Sequence, residues 1–86
     1  ENQAFSSSIS PNPTESKVKI SFSSIVKNLE LEVWNIRGKK VDGNRFRIEK
    51  ESRKHYTMDL RNLPKGLYFV RFTGKEHNGT LKVLKQ

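Results

Sequence analysis

The chain contains no cysteine, which excludes a disulfide framework and a thiolate metal site. That leaves the compartment open, because an exported bacterial domain can also lack cysteine. No apolar run approaches the roughly 18 residues that a membrane span needs. The start, Glu1-Asn2-Gln3-Ala4-Phe5, has neither the charged stretch nor the apolar stretch of a signal peptide. Glycine is sparse: Gly38, Gly43, Gly66, Gly74 and Gly79 are too scattered to form a phosphate-cradling loop. Acidic residues are also few, 9 Asp plus Glu against 17 Lys plus Arg, for a net charge of +8. Such a balance permits anionic partners such as nucleic acid, anionic lipid, lipopolysaccharide or an acidic protein, but it also suits a plain solvated surface.

What is present is one domain's worth of chain, 86 residues, near the lower end of what folds without staples. Glu1 is not an initiator methionine and Ser6-Ser7-Ser8 has linker character, so a piece of a longer protein is expected. The hydrophobic period is two almost throughout, the signature of strands. Val18, Ile20 and Phe22 alternate with Lys17, Lys19 and Ser21, and Leu29, Leu31 and Val33 alternate with Glu30 and Glu32. Phe46 and Ile48 form a third apolar set, and Tyr56, Met58 and Leu60 a fourth. Tyr68, Val70 and Phe72 share one face, as do Leu81 and Val83. One apolar and one polar face per strand suits antiparallel sheets with one side in water.

Turn signals separate these runs: Pro11-Asn12-Pro13-Thr14, Val26-Lys27-Asn28, Arg37-Gly38-Lys39, Asp42-Gly43-Asn44, Leu63-Pro64-Lys65-Gly66 and Asn78-Gly79. With a first strand near Phe5 to Ile9, the pattern predicts about seven strands in an immunoglobulin-like antiparallel β-sandwich. Pro11 and Pro13 cannot donate ladder hydrogen bonds and should end the first strand in an extended corner. Gly38 should supply a positive φ, and Gly66 a permissive position before Leu67.

Catalytic chemistry is not indicated. His55 and His77 have no partner at metal-ligand spacing, and surface positions are the better reading of both. No strained nucleophile turn marks any serine. A calcium loop around Asp42, Asn44 and Glu49 would be opposed by Lys39, Lys40, Arg45 and Arg47. Asn78-Gly79-Thr80 fits a glycosylation sequon, but a plain hairpin connection is preferred. Residues 37–54 hold eight basic residues, yet Phe46 and Tyr56 belong by parity to the core, so nucleic acid would find no stacking platform there. Trp34 falls on the polar parity, which leaves two readings: a docking or sugar platform, or a rim residue covered by a loop.

Four segments, in order, resemble one family. Ile9-Ser10-Pro11-Asn12-Pro13-Thr14 is similar to the opening motif of the C-terminal sorting domains of the type IX secretion system of Bacteroidetes-type bacteria. The 31–41 segment, Leu31-Glu32-Val33-Trp34-Asn35-Ile36-Arg37-Gly38-Lys39-Lys40-Val41, resembles the second motif, with Trp34 where the family usually has Tyr or Phe. The 58–71 segment, with Leu63-Pro64-Lys65-Gly66-Leu67-Tyr68 at its centre, resembles the third. Lys82-Val83-Leu84-Lys85-Gln86 resembles the closing tail, whereas residues 42–54 follow no family pattern.

The resemblance implies a non-catalytic signal without cofactor or metal, in which residues 1–8 link to an upstream cargo and residues 9–86 form the domain. It implies export through the periplasm to the outer membrane, cell surface or medium. The partners would be the outer-membrane machinery, including its shuttle barrel, and a sortase-like cysteine protease that cuts upstream of the domain. On motif match, the recognition residues would be Pro11, Asn12, Pro13, Gly38, Leu63, Pro64, Gly66, Tyr68, Lys82, Val83, Leu84, Lys85 and Gln86. The presented surface would be the final strand with Lys82 and Lys85, the Pro64–Gly66 turn and the Pro11–Pro13 corner. An uncovered edge strand could pair with a second copy. The alternative is an adhesion or carbohydrate-binding sandwich centred on Trp34.

Overall fold

The computed structural model describes residues 4–86; residues 1–3, part of the expected linker, lie outside them. Seven strands follow one another: β1 Ser7–Ser10, β2 Lys17–Phe22, β3 Glu30–Asn35, β4 Arg47–Lys50, β5 His55–Asp59, β6 Gly66–Thr73 and β7 Asn78–Lys85. A single 3-10 turn, Gly43–Arg45, precedes β4, and there is no α-helix among the described residues. The strands form two antiparallel sheets, one ordered β1-β2-β5-β4 and the other β3-β6-β7. This is the ABED and CFG order of a seven-stranded immunoglobulin constant-type sandwich.

Alternation builds the core. Val18, Ile20, Phe22, Tyr56 and Met58 face Val33, Tyr68, Val70, Phe72 and Val83 across the two sheets, and all are buried. The register places Ile20 opposite Tyr56, Val33 opposite Val70 and Tyr68 opposite Val83. At the end where β2 finishes, Phe22 meets Phe72 edge-on at 5.0 Å and Tyr56 at 6.0 Å. Phe5 extends this cluster, at 6.1 Å from Phe22 and stacked on the His77 ring at 3.9 Å. β1 opens at Ser7, and Ser23 donates its amide to the Ser6 carbonyl (2.9 Å), so chain ahead of Ile9 is already part of the sheet. His77 is half-buried under Phe5 rather than free on the surface, while His55 is exposed.

Three further expectations fail. Ile48 lies opposite Met58 yet is 41% exposed. The four-stranded sheet has one strand more than the three-stranded one, so nothing among the described residues covers β4, and all its residues are exposed. Phe46, just before β4, is only half-buried against the core. Asn78-Gly79 is not a turn: both residues lie in β7, and the chain reverses earlier, where Gly74 donates its amide to the His77 carbonyl at 2.8 Å. Gly79 sits opposite Phe72, and a β-carbon there would come within 2.8 Å of that ring. Its role is to make room for an aromatic neighbour rather than to bend the chain. The third failure concerns Lys85, which continues the inward parity of Leu81 and Val83 and is 8% exposed.

Candidate functional site

β7 is an edge strand, and its open side is closed by the Pro11-Asn12-Pro13-Thr14 corner. The Asn12 carboxamide does the work of a peptide unit. Its Nδ2 donates to the Lys82 carbonyl at 2.9 Å, and its Oδ1 accepts the Leu84 amide at 3.0 Å. A carboxamide carries its donor and acceptor on separate N and O atoms, as a peptide unit does, and the flanking prolines carry no N–H to compete. The backbone then takes over: Thr14 donates to the Leu84 carbonyl (2.9 Å) and Gln86 donates to the Thr14 carbonyl (2.8 Å). Thr14 is buried, and its hydroxyl donates to the Lys17 carbonyl at 2.7 Å, turning the chain into β2.

The turn before β6 meets the same place from the other side. Leu63 is buried and donates its amide to the Leu60 carbonyl at 3.0 Å. The Leu63 carbonyl accepts from Lys85 Nζ at 3.3 Å, and the same ammonium reaches the Gln86 carbonyl at 3.3 Å. The Tyr68 hydroxyl donates back to the Pro64 carbonyl at 2.7 Å. This is the tyrosine corner of immunoglobulin-like folds, an early β6 tyrosine bonding upstream backbone. Burial pushes the Tyr68 phenol above its ordinary range. Gly66 opens β6 at φ +151°, opposite Lys85.

Gly38 belongs to the neighbouring strand end. Asn35 Oδ1 accepts the Arg37 and Lys39 amides at 2.9 and 3.0 Å, an Asx-type turn. Gly38 sits at φ +79°, where the chain folds back so that Val41 donates to the Val33 carbonyl at 2.7 Å. That return covers the outer edge of β3.

All four motif segments thus meet at one end of the sandwich, though not all are on its surface. Leu63, Tyr68, Val83 and Lys85 point inward, while Pro11, Asn12, Pro13, Gly38, Pro64, Lys82, Leu84 and Gln86 are exposed. The expected presentation of Lys85 is corrected: on β7 the outward pair is Lys82 and Leu84, the latter 43% exposed.

Sequence motifs alone missed the outer face of the three-stranded sheet. Trp34 lies opposite Phe69, Phe69 opposite Lys82, and Leu67 opposite Leu84. Trp34, Ile36, Gly38 and Phe69 border a shallow cleft of about 290 Å³ with Arg71 and Thr80. The Trp34 indole N–H donates to Glu32 at 3.1 Å, and Glu32 pairs with Lys40 at 3.2 Å. These contacts, the indole first, hold the Glu32 carboxyl below its usual range. Trp34 is therefore outward but half-covered. The outward parity of Leu67, Phe69 and Leu84 was the available signal for this apolar strip.

The motif segments and their order agree with a family comparison. The model of the secretion system C-terminal sorting domain matches residues 8–86. The chain belongs to that family. Among curated proteins none matches it. Membership implies a secreted protein exported through type IX secretion, with the sorting domain at its C-terminus. Domains of this family are non-catalytic in general. Within this sorting domain, no helix among the described residues is long and apolar enough to cross a membrane.

The basic run of residues 37–54 does not form one patch in the sorting domain. Arg37, Lys39 and Lys40 sit in the turn after β3. Arg45 and Arg47 line a cleft on the four-stranded sheet with Lys17, Arg61, Asp59 and Glu49. There Arg61 is held by Asp59 at 2.6 Å, and this contact keeps the Asp59 carboxyl low. Lys50 and Arg53 lie at the opposite end, beside Lys27 and Lys75.

Proposed function

We propose that this domain is read by the outer-membrane type IX machinery, shuttle barrel included, at its motif end. A sortase-like cysteine protease then removes it by cutting upstream. The observation that supports this reading is the convergence of the corner, the turn before β6 and the closing strand through Asn12, Tyr68 and Lys85. Residues up to 72 positions apart in sequence build one composite surface, which exists only in the folded domain. A receptor that engages it therefore distinguishes a folded signal from an unfolded one.

On this reading Asn12, Tyr68 and Lys85 shape the surface, while Lys82, Leu84 and the Trp34–Phe69 strip are what a partner touches. Exposed Leu84 and Ile36, the latter 68% exposed, supply apolar contact area. Lys82 and Arg71 supply charge for encounter with an acidic receptor, an effect mainly on association rate. The cut falls ahead of Phe5, whose ring is fixed against Phe22 and His77. Residues from Phe5 onward then leave with the domain, and the periplasm is the stage at which the folded signal is first available.

The test is a transplant of the chain onto the C-terminus of a periplasmic reporter in a host with a working type IX system. Three versions are compared: intact, lacking residues 82–86, and carrying Lys82→Ala with Leu84→Ser. The third keeps every inward contact of β7. Surface delivery of the intact fusion alone is the expected outcome. Delivery by the double variant would move recognition off β7. Retention of all three in the periplasm, with the domain folded, would reject the sorting role.

A second reading, a carbohydrate-binding module, draws on the outward face of Trp34. It requires the ring face for a sugar, and on that reading Trp34→Ala would abolish glycan binding by the folded domain.

A further inference from the structure

The end of the sandwich away from the motifs gathers charge that the fold does not use. Three loops meet there: the β2–β3 connection, the β4–β5 connection and the β6–β7 turn. They bring Lys27, Lys50, Arg53 and Lys75 around a cleft of about 500 Å³ whose apolar side is Ile25, Val26 and Tyr56. No carboxylate among the described residues lines it. Among the described residues the ion pairs are Lys19–Glu51, Lys40–Glu32 and Arg61–Asp59, so none of the four cations is paired. Glu51 is turned to Lys19, and Glu76 follows Lys75 in the turn without lining the cleft.

The arrangement is held by backbone rather than by the charges themselves. Lys75 donates its amide to the Lys27 carbonyl at 2.8 Å, fixing two lysines side by side. Gly74 permits this approach, since a β-carbon there would run into Val26 and come within 3.0 Å of the Lys27 carbonyl. Asn28, at φ +56°, takes the left-handed conformation that asparagine tolerates better than most residues. Four like charges with no counter-charge among the described residues repel one another, and an anion seated among them relieves that repulsion. Ile25, 43% exposed, stands beside them, and lysine stems lie well along apolar surface while their ammonium groups stay in water.

We propose that this loop end is a docking site for a phosphate-bearing lipid surface. The cations take the headgroups and Ile25 enters the apolar boundary. Nucleic acid fits less well, because Tyr56, the one aromatic residue of the cleft, is buried and offers no face for base stacking. Phe5 and the Ser6–Ser23 hydrogen bonds lie at this same end, so docking would place the point where the chain enters the domain next to the lipid.

The test is co-sedimentation of the chain with phosphatidylcholine vesicles, with and without phosphatidylglycerol. Binding is expected only to the anionic vesicles. Each cation near such a surface contributes about a fivefold factor, so Lys27→Gln with Arg53→Gln should weaken binding about 25-fold. Lys50→Gln with Lys75→Gln is a second, independent pair with the same expectation. Arg45→Gln with Arg47→Gln removes the same charge from the other cleft and should leave binding within about twofold. Equal losses from all three pairs would reduce the effect to net charge and overturn the site. So would a failure to bind anionic vesicles, or dependence on Lys27 and Arg53 for inorganic phosphate, an acidic peptide or single-stranded DNA but not for vesicles. The assay needs no secretion machinery, so its failure would leave the sorting role standing.

Discussion

The two ends of this sandwich are built on opposite principles. At the motif end nearly every distinctive residue is spent on another part of the chain: Asn12 on β7, Tyr68 on Pro64, Lys85 on Leu63. At the loop end Lys27, Lys50, Arg53 and Lys75 have no partner among the described residues. A motif can therefore mark a family because the fold needs it, whereas an unpaired charge cluster is free to serve a ligand. The difference also separates two kinds of lysine. Lys85 is an inward group held by carbonyls, and Lys75 is a solvated charge at the mouth of a cleft.

The sharpest way to break this contrast is at Lys85. Lys85→Glu would put a carboxylate against the Leu63 and Gln86 carbonyls, and the expected loss is on the order of 3 kcal/mol in urea unfolding. Lys85→Met keeps the stem without the charge and should stay within about 1 kcal/mol of the parent. Asn12→Ala comes next. It removes two hydrogen bonds to the β7 edge, for an expected loss of about 1–2 kcal/mol. Hydrogen exchange should rise first at the Leu84 and Gln86 amides, the ones that face the corner.

Tyr68→Phe should cost about 1 kcal/mol, the worth of one neutral hydrogen bond. It also carries a pH signature. The folded phenol is raised above its ordinary value of 10.0, so its contribution is complete below that pH and is lost as pH climbs through the folded value. Alkaline melts of the parent should fall more steeply than those of Tyr68→Phe. The smallest effect is expected at the other end: Lys27→Gln with Arg53→Gln should shift stability by no more than about 0.5 kcal/mol, whatever it does to ligand binding. A loss comparable to that of Asn12→Ala would show the loop cations to be structural and erase the contrast.

Much of this was legible without coordinates. Period-two alternation marks β2, β5 and β6 because each has a facing sheet that rewards an apolar residue at every second position. Backbone conformation was legible at Gly38, where positive φ is needed for the turn. Parity also places Trp34 outward, as observed. It is silent on whether a face is covered. Ile48 has the right parity and lies in water, because the four-stranded sheet has one strand more than the three-stranded one. Lys85 has core parity but a charged head, and the Leu63 and Gln86 carbonyls that accept from it explain its burial.

What the sequence determined by itself is local: strand alternation, backbone freedom at glycine, the absence of cysteine, and motif segments that identify the family. What the tertiary structure decided is which distant groups meet. Asn12 lies 70 residues from Lys82 and Lys85 lies 22 from Leu63. The eight cations of residues 37–54 are neighbours in the chain but separated in space. Alternation records the environment of each residue one at a time. Pairings between far-apart segments follow from strand order and register, which bring remote donors and acceptors within 3 Å and scatter charges that the chain had placed side by side.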